Sequence, residues 1–297
     1  MGKLYAQLYS LIRQQREETL DALKEIARLG YDGVELLSTM TGSMNPAEFR
    51  KYIDDLGLNV ISTQGYNTEQ DLAFGQEIGL RYCTFGHTNV SKKHDDVLRA
   101  AELLNANGEI TAKYGMKLVV HNHANEFMWL EGEDGERRIY DLLLQNTDPA
   151  LVGFEFDIGW GQLAGADCPA IIRQYPGRFP LIHVKECARI ATSEEEYEHF
   201  PAKIFEFARQ LDPDFAKPGR PPKFPPAAEK MMYESRNWNT ALGEGLVNWK
   251  ALFAAAEAQG TEAFISEREY YHITGNSEAT ASGAAKVDLQ FMKSVFR

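Results

Sequence analysis

"LVGFEFDIGWGQLAGADCPAIIRQYPGRFPLIHVKE" (151–186) holds two apolar runs, 151–159 and 180–186, separated by a segment that reads as helix. Each run finishes in ionisable side chains, Glu155 and Asp157 in the first, His183 and Lys185 in the second. Strand, helix, strand implies two parallel strands, because strands running the same way need a long crossover to return. The rhythm extends in both directions. Strand-like runs stand at 4–10, 32–38, 59–65, 81–87 and 117–123 before this unit and at 262–269 after it, eight in all. Between them lie helical patterns. In "REETLDALKEIARLG" (16–30), Leu20, Leu23, Ile26 and Ala27 share one face, with acidic residues in the first turn and Gly30 at the stop. In "NWKALFAAAEAQG" (248–260), Trp249, Leu252, Phe253 and Ala256 do the same between an Asn248 cap and a Gly260 stop. Eight strand–helix units in 297 residues predict an α/β protein whose residues 1–297 form a single (β/α)8 TIM-barrel domain. An open doubly wound sheet is the alternative; the lack of a glycine-rich phosphate loop after the first strand weakens it.

The composition, 44% hydrophobic and 25% charged, is that of an ordinary globular chain with material for a large core. A formal net charge of −12 repels phosphate backbones and anionic membranes, so no nucleic acid or membrane partner is expected. Three cysteines (Cys83, Cys168, Cys187) without CxxC spacing fit a reducing compartment. The first residues lack a signal-peptide pattern, and no apolar run approaches the roughly 18 residues of a membrane helix. A cytoplasmic location is the expectation.

One segment breaks the rhythm. Residues 187–242 separate the seventh strand from "GEGLVNW" (243–249), where a barrel loop needs only a handful of residues. "TSEEEYEHF" (192–200) reads as a capping-box helix start on Ser193 and Glu196. The prolines of "AKPGRPPKFPPAAEK" (216–230) argue against regular structure. After a seventh strand, the insertion would lie on the catalytic face as a lid or specificity loop; a solvated insertion or oligomer contact is the plainer reading.

Alternate side chains of a strand share a face. His121 and His123 of "VVHNHANEF" (119–127) therefore pair, as do Glu155 and Asp157, His183 and Lys185, and Glu267 and Glu269. One such histidine is more often a satisfied core residue than a ligand. Four consecutive strands ending in charges on one face are too costly to bury without a partner, and a divalent cation suits carboxylates plus imidazole.

These stretches also carry a resemblance. "AQLYS" (6–10), "HNHANEF" (121–127), "FEFDIGWGQLAGADCPAIIRQYPGRFPLIHVKE" (154–186), "GEGLVNW" (243–249) and "EAFISERE" (262–269) resemble the xylose-isomerase-like superfamily of TIM barrels, the sugar phosphate isomerase/epimerase family. The resemblance spans nearly the whole chain. It implies one divalent metal, Mn2+ or Mg2+ first and Co2+ or Zn2+ next, held by Asp157, His183, Glu267 and a fourth ligand. Glu126 is the favoured fourth, with His121 or His123 competing; a second histidine would move the balance towards Zn2+ or Fe2+. Two departures bear on substrate: the long insertion, and Gln64 where relatives often carry histidine.

The implied chemistry is metal-dependent sugar isomerisation or epimerisation through an enediolate. Glu126 and Glu267 would act as base and acid, and His121, His123 and Lys185 would bind substrate oxygens or carry protons. Lys185 is alternatively a counter-charge to Glu155 or Glu186, and Trp160 either stacks on a sugar or is a buried rim aromatic. Collapse of the same intermediate by β-elimination gives a dehydratase or glycoside lyase acting on a keto sugar. A non-catalytic sugar-binding barrel is the third reading. Endonuclease chemistry at abasic DNA, also known in the superfamily, is opposed by the acidic charge and by only seven histidines. The partner is a small carbohydrate, and a homodimer is a family-level expectation.

Overall fold

The computed structural model describes residues 2–11, 19–37, 44–86, 91–132, 137–197, 202–213, 224–268 and 280–295. Eight parallel strands close into a barrel in sequence order, from β1 (Lys3–Gln7), β2 (Gly33–Leu37), β3 (Asn59–Tyr66) and β4 (Tyr82–Phe85) to β5 (Lys117–His121), β6 (Val152–Asp157), β7 (Leu181–Val184) and β8 (Ala263–Ser266). All eight expected strands are present, most of them trimmed at one or both ends.

The helices are α1 (Thr19–Leu29), α2 (Pro46–Asp55), α3 (Glu69–Ile78), α4 (His94–Ala112), α5 (Ile139–Asn146), α6 (Ile158–Leu163), α7 (Cys168–Gln174), α8 (Ala202–Leu211), α9 (Pro226–Ser235), α10 (Trp249–Gln259) and α11 (Ala281–Val295). Local chemistry sets their ends. α1 stops at Gly30, φ +88, with Tyr31 N–H returning to the Ile26 carbonyl. The Asn248 side chain caps α10 by accepting from Ala251 N–H, and Gly260, φ +86, closes it. The apolar faces of these helices join the outward faces of the strands in one large core that includes Leu23, Ile26, Val34, Phe154, Leu252 and Phe264.

Inside the barrel, Tyr5, Ile61, Tyr82, Val119, Leu181, Ala263 and Ile265 form a separate apolar layer. Two residues further along the strands, the same inward face becomes polar: Gln7 follows Tyr5, His121 follows Val119, His183 follows Leu181 and Glu267 follows Ile265. The period of two therefore stacks a polar layer on an apolar floor at the carboxyl end of the barrel. Pairing levels the strand ends, with His121 beside Glu155 and Asp157 beside His183.

The insertion between β7 and α10 is more regular than its prolines suggest. α9 begins on Pro226, a first-turn position whose missing N–H has no intrahelical partner to lose. Ile204 and Ala208 of α8 pack on Ala228 and Met232 of α9 in a cluster of their own. Instead of the start of an α-helix, Glu194–Tyr197 forms a short 3-10 turn, and the Glu196 carboxylate accepts from Thr192 N–H at 2.9 Å and pairs with Arg189 at 2.8 Å. Residues 214–223, within the proline-rich stretch, and Glu269 lie outside the described residues. Among the described residues, no helix is long and apolar enough to cross a membrane.

Candidate metal centre

β5 ends at His121, two residues before the expected boundary. The buried Asn122 side chain takes over the edge: its Oδ1 accepts Asp157 N–H at 3.0 Å and its Nδ2 donates to the Asp157 carbonyl at 3.2 Å. This amide clasp fixes His121 against Asp157. Asp157 in turn caps α6, with Oδ1 accepting Trp160 N–H at 3.0 Å, which leaves Oδ2 for the barrel interior.

Donor atoms of His121, Asp157, His183 and Glu267 all lie within 4.8 Å of one another. His183 Nδ1 stands 2.9 Å from Glu267 Oε2 and 3.8 Å from Asp157 Oδ2. His121 Nε2 faces Asp157 Oδ2 at 3.5 Å, and both atoms are buried without a hydrogen-bond partner. Buried polar atoms nearly always make hydrogen bonds, so two that make none, facing each other among carboxylate and imidazole donors, fit a bound cation. Three of the expected ligands, Asp157, His183 and Glu267, thus meet, and the fourth corner is His121. Glu126 is not one of these four donors. It lies in a 3-10 turn (Asn125–Phe127) that folds its carboxylate back onto His123 N–H at 2.8 Å. Burial raises its carboxyl pKa.

Lys185 is buried beside the cluster, 3.1 Å from Glu267 and 3.4 Å from Asp157. Both carboxylates stand as counter-charges to it. Gly159 makes room for the lysine stem: a Cβ there would sit 2.6 Å from Lys185 Cγ. Burial pulls the Glu267 carboxyl upward, but Lys185 and His183 outweigh it and hold the group well below the usual carboxylate range. His123 stands at the other edge, its ring 5.0 Å from His121 and 5.2 Å from Trp160. Burial, then the charges of His121, Lys185 and Arg236, push its pKa well below 6.5. Trp160 is a buried rim aromatic, packed on His123 and, at 4.6 Å, on Trp238.

At the same level lies a second group. Glu35 of β2 and Glu155 of β6 converge on the far side of the His183 ring, Glu35 at 2.9 Å and Glu155 at 3.5 Å from Nε2. Two adjacent buried carboxylates do not both ionise readily. Burial and the neighbouring Glu155 keep the Glu35 carboxyl well above its ordinary value. For Glu155, burial is outweighed by His183, and the group stays below. His183, disfavoured as a cation by burial, is nonetheless raised well above 6.5 by Glu155 and Glu35. A cavity of about 650 Å³ lined by Tyr5, Arg50, Arg81 and Glu262 opens at the opposite, amino end of the barrel and has no part in this chemistry.

A family profile described as a xylose isomerase-like TIM barrel matches residues 23–295. The chain belongs to this family. One relative, an inosose dehydratase of Lactiplantibacillus plantarum, is 34% identical over 105 residues, which cover 35% of this chain. The match spans only 31% of that relative's length. A sugar phosphate isomerase/epimerase of Parabacteroides distasonis superposes with a TM-score of 0.67 at 22% identity, covering 99% of this chain and 94% of that one. The IOLI protein, solved with a bound zinc atom, superposes with a TM-score of 0.63 at 12% identity, covering 99% and 97%. These two likenesses show a shared fold.

Sequence reasoning passed over Glu35, Gln7, Ser62, Arg236 and Trp238. For the first three a signal exists: each is a polar residue on the inward face of an early strand. Arg236 and Trp238 close the insertion, and nothing local marks them. The Arg236 guanidinium lies 5.2 Å from the Trp160 ring.

Proposed function

We propose that this barrel binds one divalent cation through His121, Asp157, His183 and Glu267 and moves a proton at the carbon next to a carbonyl of a carbohydrate. The supporting observation is the four-donor cluster, in which His121 Nε2 and Asp157 Oδ2 are buried without a hydrogen bond and Lys185 Nζ stands 3.4 Å from the same Asp157 oxygen. Two imidazoles and two carboxylates favour a transition-series ion such as Zn2+ or Mn2+ over Mg2+. Bound there, the ion supplies Lewis acidity to a carbonyl and its neighbouring hydroxyl.

The protein side chains do the rest. Glu267, held ionised, is the base available to the α-proton. The Lys185 ammonium, 3.1 Å away, donates to an oxygen on the same side. His123, kept neutral, accepts or donates at a substrate hydroxyl, and Glu126 fixes it through its backbone. The insertion 187–242 acts as a lid, its Arg236 and Trp238 packed on Trp160.

Isomerisation or epimerisation follows if the proton returns to the other carbon or face. Dehydration is the second reading, and two observations favour it. The relative from Lactiplantibacillus plantarum is an inosose dehydratase. Glu126, the expected opposite-face acid, is turned onto a backbone amide, whereas Glu267 and Lys185 form a base and an acid side by side. The test is incubation of the cation-loaded protein in deuterated water with ketoses, aldoses and keto-cyclitols. Deuterium at the α-carbon with the formula retained identifies an isomerase or epimerase, and loss of water identifies a dehydratase. Asp157→Asn should lower metal content and reduce turnover at least about 10³-fold. Full activity of that variant with a stoichiometric ion would reject the ligand assignment.

A further inference from the structure

His183 touches carboxylates with both ring nitrogens: Nδ1 at 2.9 Å from Glu267 and Nε2 at 2.9 Å from Glu35. A ring nitrogen that carries a proton donates it, and a nitrogen that binds a cation presents a lone pair. One of the two must keep its proton when a cation is bound. The surroundings distinguish them. Nδ1 looks into the cluster with Asp157 and His121. Nε2 looks away from it, towards a carboxylate that is itself immobilised from both neighbouring strands. Glu35 Oε1 also accepts from the Gln7 side chain of β1 and from Gln64 Nε2 of β3 at 3.2 Å, and Oε2 accepts from Ser62 Oγ. Gln64 additionally donates to Glu155 at 3.0 Å, which joins the two carboxyl groups through one amide. A register shift between Val34 and Glu35 marks where β2 departs from regular pairing with β3 just before this residue.

We infer that Glu35 is a positioning residue that holds the Nε2–H of His183 and thereby turns Nδ1 towards Asp157, Glu267 and His121. A carboxylate behind a ligating histidine fixes the ring's tautomer and orientation and raises its basicity. Gln64, where the resemblance leads one to expect a histidine, belongs to this support: its amide donates to Glu35 and Glu155 from the third strand. The inference rests on the cluster being a cation centre.

The test uses the intact chain, freed of metal by chelation and titrated with Zn2+ against a chromogenic chelator. Glu35→Gln keeps size and shape but replaces the carboxyl group behind the ring with an amide, and should weaken Zn2+ binding about 10–100-fold. Protein labelled with 15N at its histidines supplies a second readout. In the wild type, the His183 Nε2–H signal should persist on loading while Nδ1 loses its proton and shifts. An unchanged dissociation constant in Glu35→Gln, or Nε2 rather than Nδ1 shifting on loading, overturns the positioning role while the cation reading stands. A wild-type protein that takes up no Zn2+ or Mn2+ removes the cation reading. A slowly exchanging Nε2–H of His183 that is lost in Glu35→Gln then still decides whether Glu35 holds the ring. Should Glu35→Gln not fold, the wild-type nitrogen spectra alone decide which nitrogen keeps its proton.

Discussion

Asn122 shows how one amide organises the centre. Its side chain replaces a missing rung of the ladder, holds the Asp157 backbone and so sets His121 at 3.5 Å from Asp157 Oδ2. Two histidines of the centre have opposite fates. His123 is pushed well below 6.5, by burial first, and His183 is held well above it by Glu155 and Glu35. A depressed histidine binds its proton more readily in the unfolded chain. Between about 6.5 and the lower folded value, unfolded molecules therefore carry more protons, and His123 subtracts stability as the pH falls through that window. In cation-free protein, His123→Asn should flatten the acid limb of the stability profile below pH ~6.5, by up to ~1.4 kcal/mol per pH unit relative to the wild type. Melting curves across pH 5–7 measure this. Parallel profiles would show that His123 is not held neutral.

Longer stretches of chain obey the same accounting of polar groups. Lys185 and Glu186 are adjacent yet serve different elements, because successive strand side chains point to opposite sides. Lys185 enters the centre, whereas Glu186 is fully buried on the outside of β7's extension. Its carboxylate accepts Cys187 N–H at 3.0 Å, Gly243 N–H at 2.9 Å, Val247 N–H at 3.2 Å and Trp249 Nε1–H at 2.6 Å. The "GEGLVNW" stretch is therefore a clasp wrapped around one glutamate. Gly245 is needed there, since a Cβ would overlap the Glu186 carboxylate and the Cys187 carbonyl. The clasp brings the chain back from the insertion to the barrel at a fixed place. Glu186→Gln puts an amide NH2 where one carboxylate oxygen accepts two N–H donors and should lower unfolding free energy by roughly 2–4 kcal/mol. Urea denaturation tests it, and a change under about 0.5 kcal/mol would mean that the clasp is redundant.

Closure of the barrel brings distant ends of the chain together. β1 pairs with β8, and α11 covers the seam. There Arg268 and Asp288 form a buried bidentate pair, Nε to Oδ2 at 2.9 Å and Nη2 to Oδ1 at 2.6 Å, while Tyr31 donates to the Ala285 carbonyl at 2.7 Å. A buried charge left alone is far worse than a buried pair. Asp288→Ala should destabilise the fold by about 3–5 kcal/mol, and replacing Arg268 by methionine in the same chain should recover much of that. Thermal unfolding of both variants is the measurement. A single variant as stable as wild type would show that α11 does not depend on this pair.

Local patterning made the barrel readable. Eight apolar runs, helix stops at Gly30 and Gly260, and the Asn248 cap are consequences of near neighbours in the chain, and they appear where the residues predict them. Asp157, His183 and Glu267 were legible as inward-facing strand ends for the same reason: a two-residue period survives any curvature of the sheet. The period misleads where the strand stops, as it does after His121; the prolines mislead where one of them begins a helix, as Pro226 does. What neighbours in sequence do not carry is which atom a side chain finally faces. Glu126 folding back onto His123, His121 taking the fourth corner, and Glu35 reaching His183 across 148 positions of chain depend on closing eight strands into one ring. Closure excludes water from the ring's centre, so each buried carboxylate and imidazole there must find its partner among groups brought in by other strands.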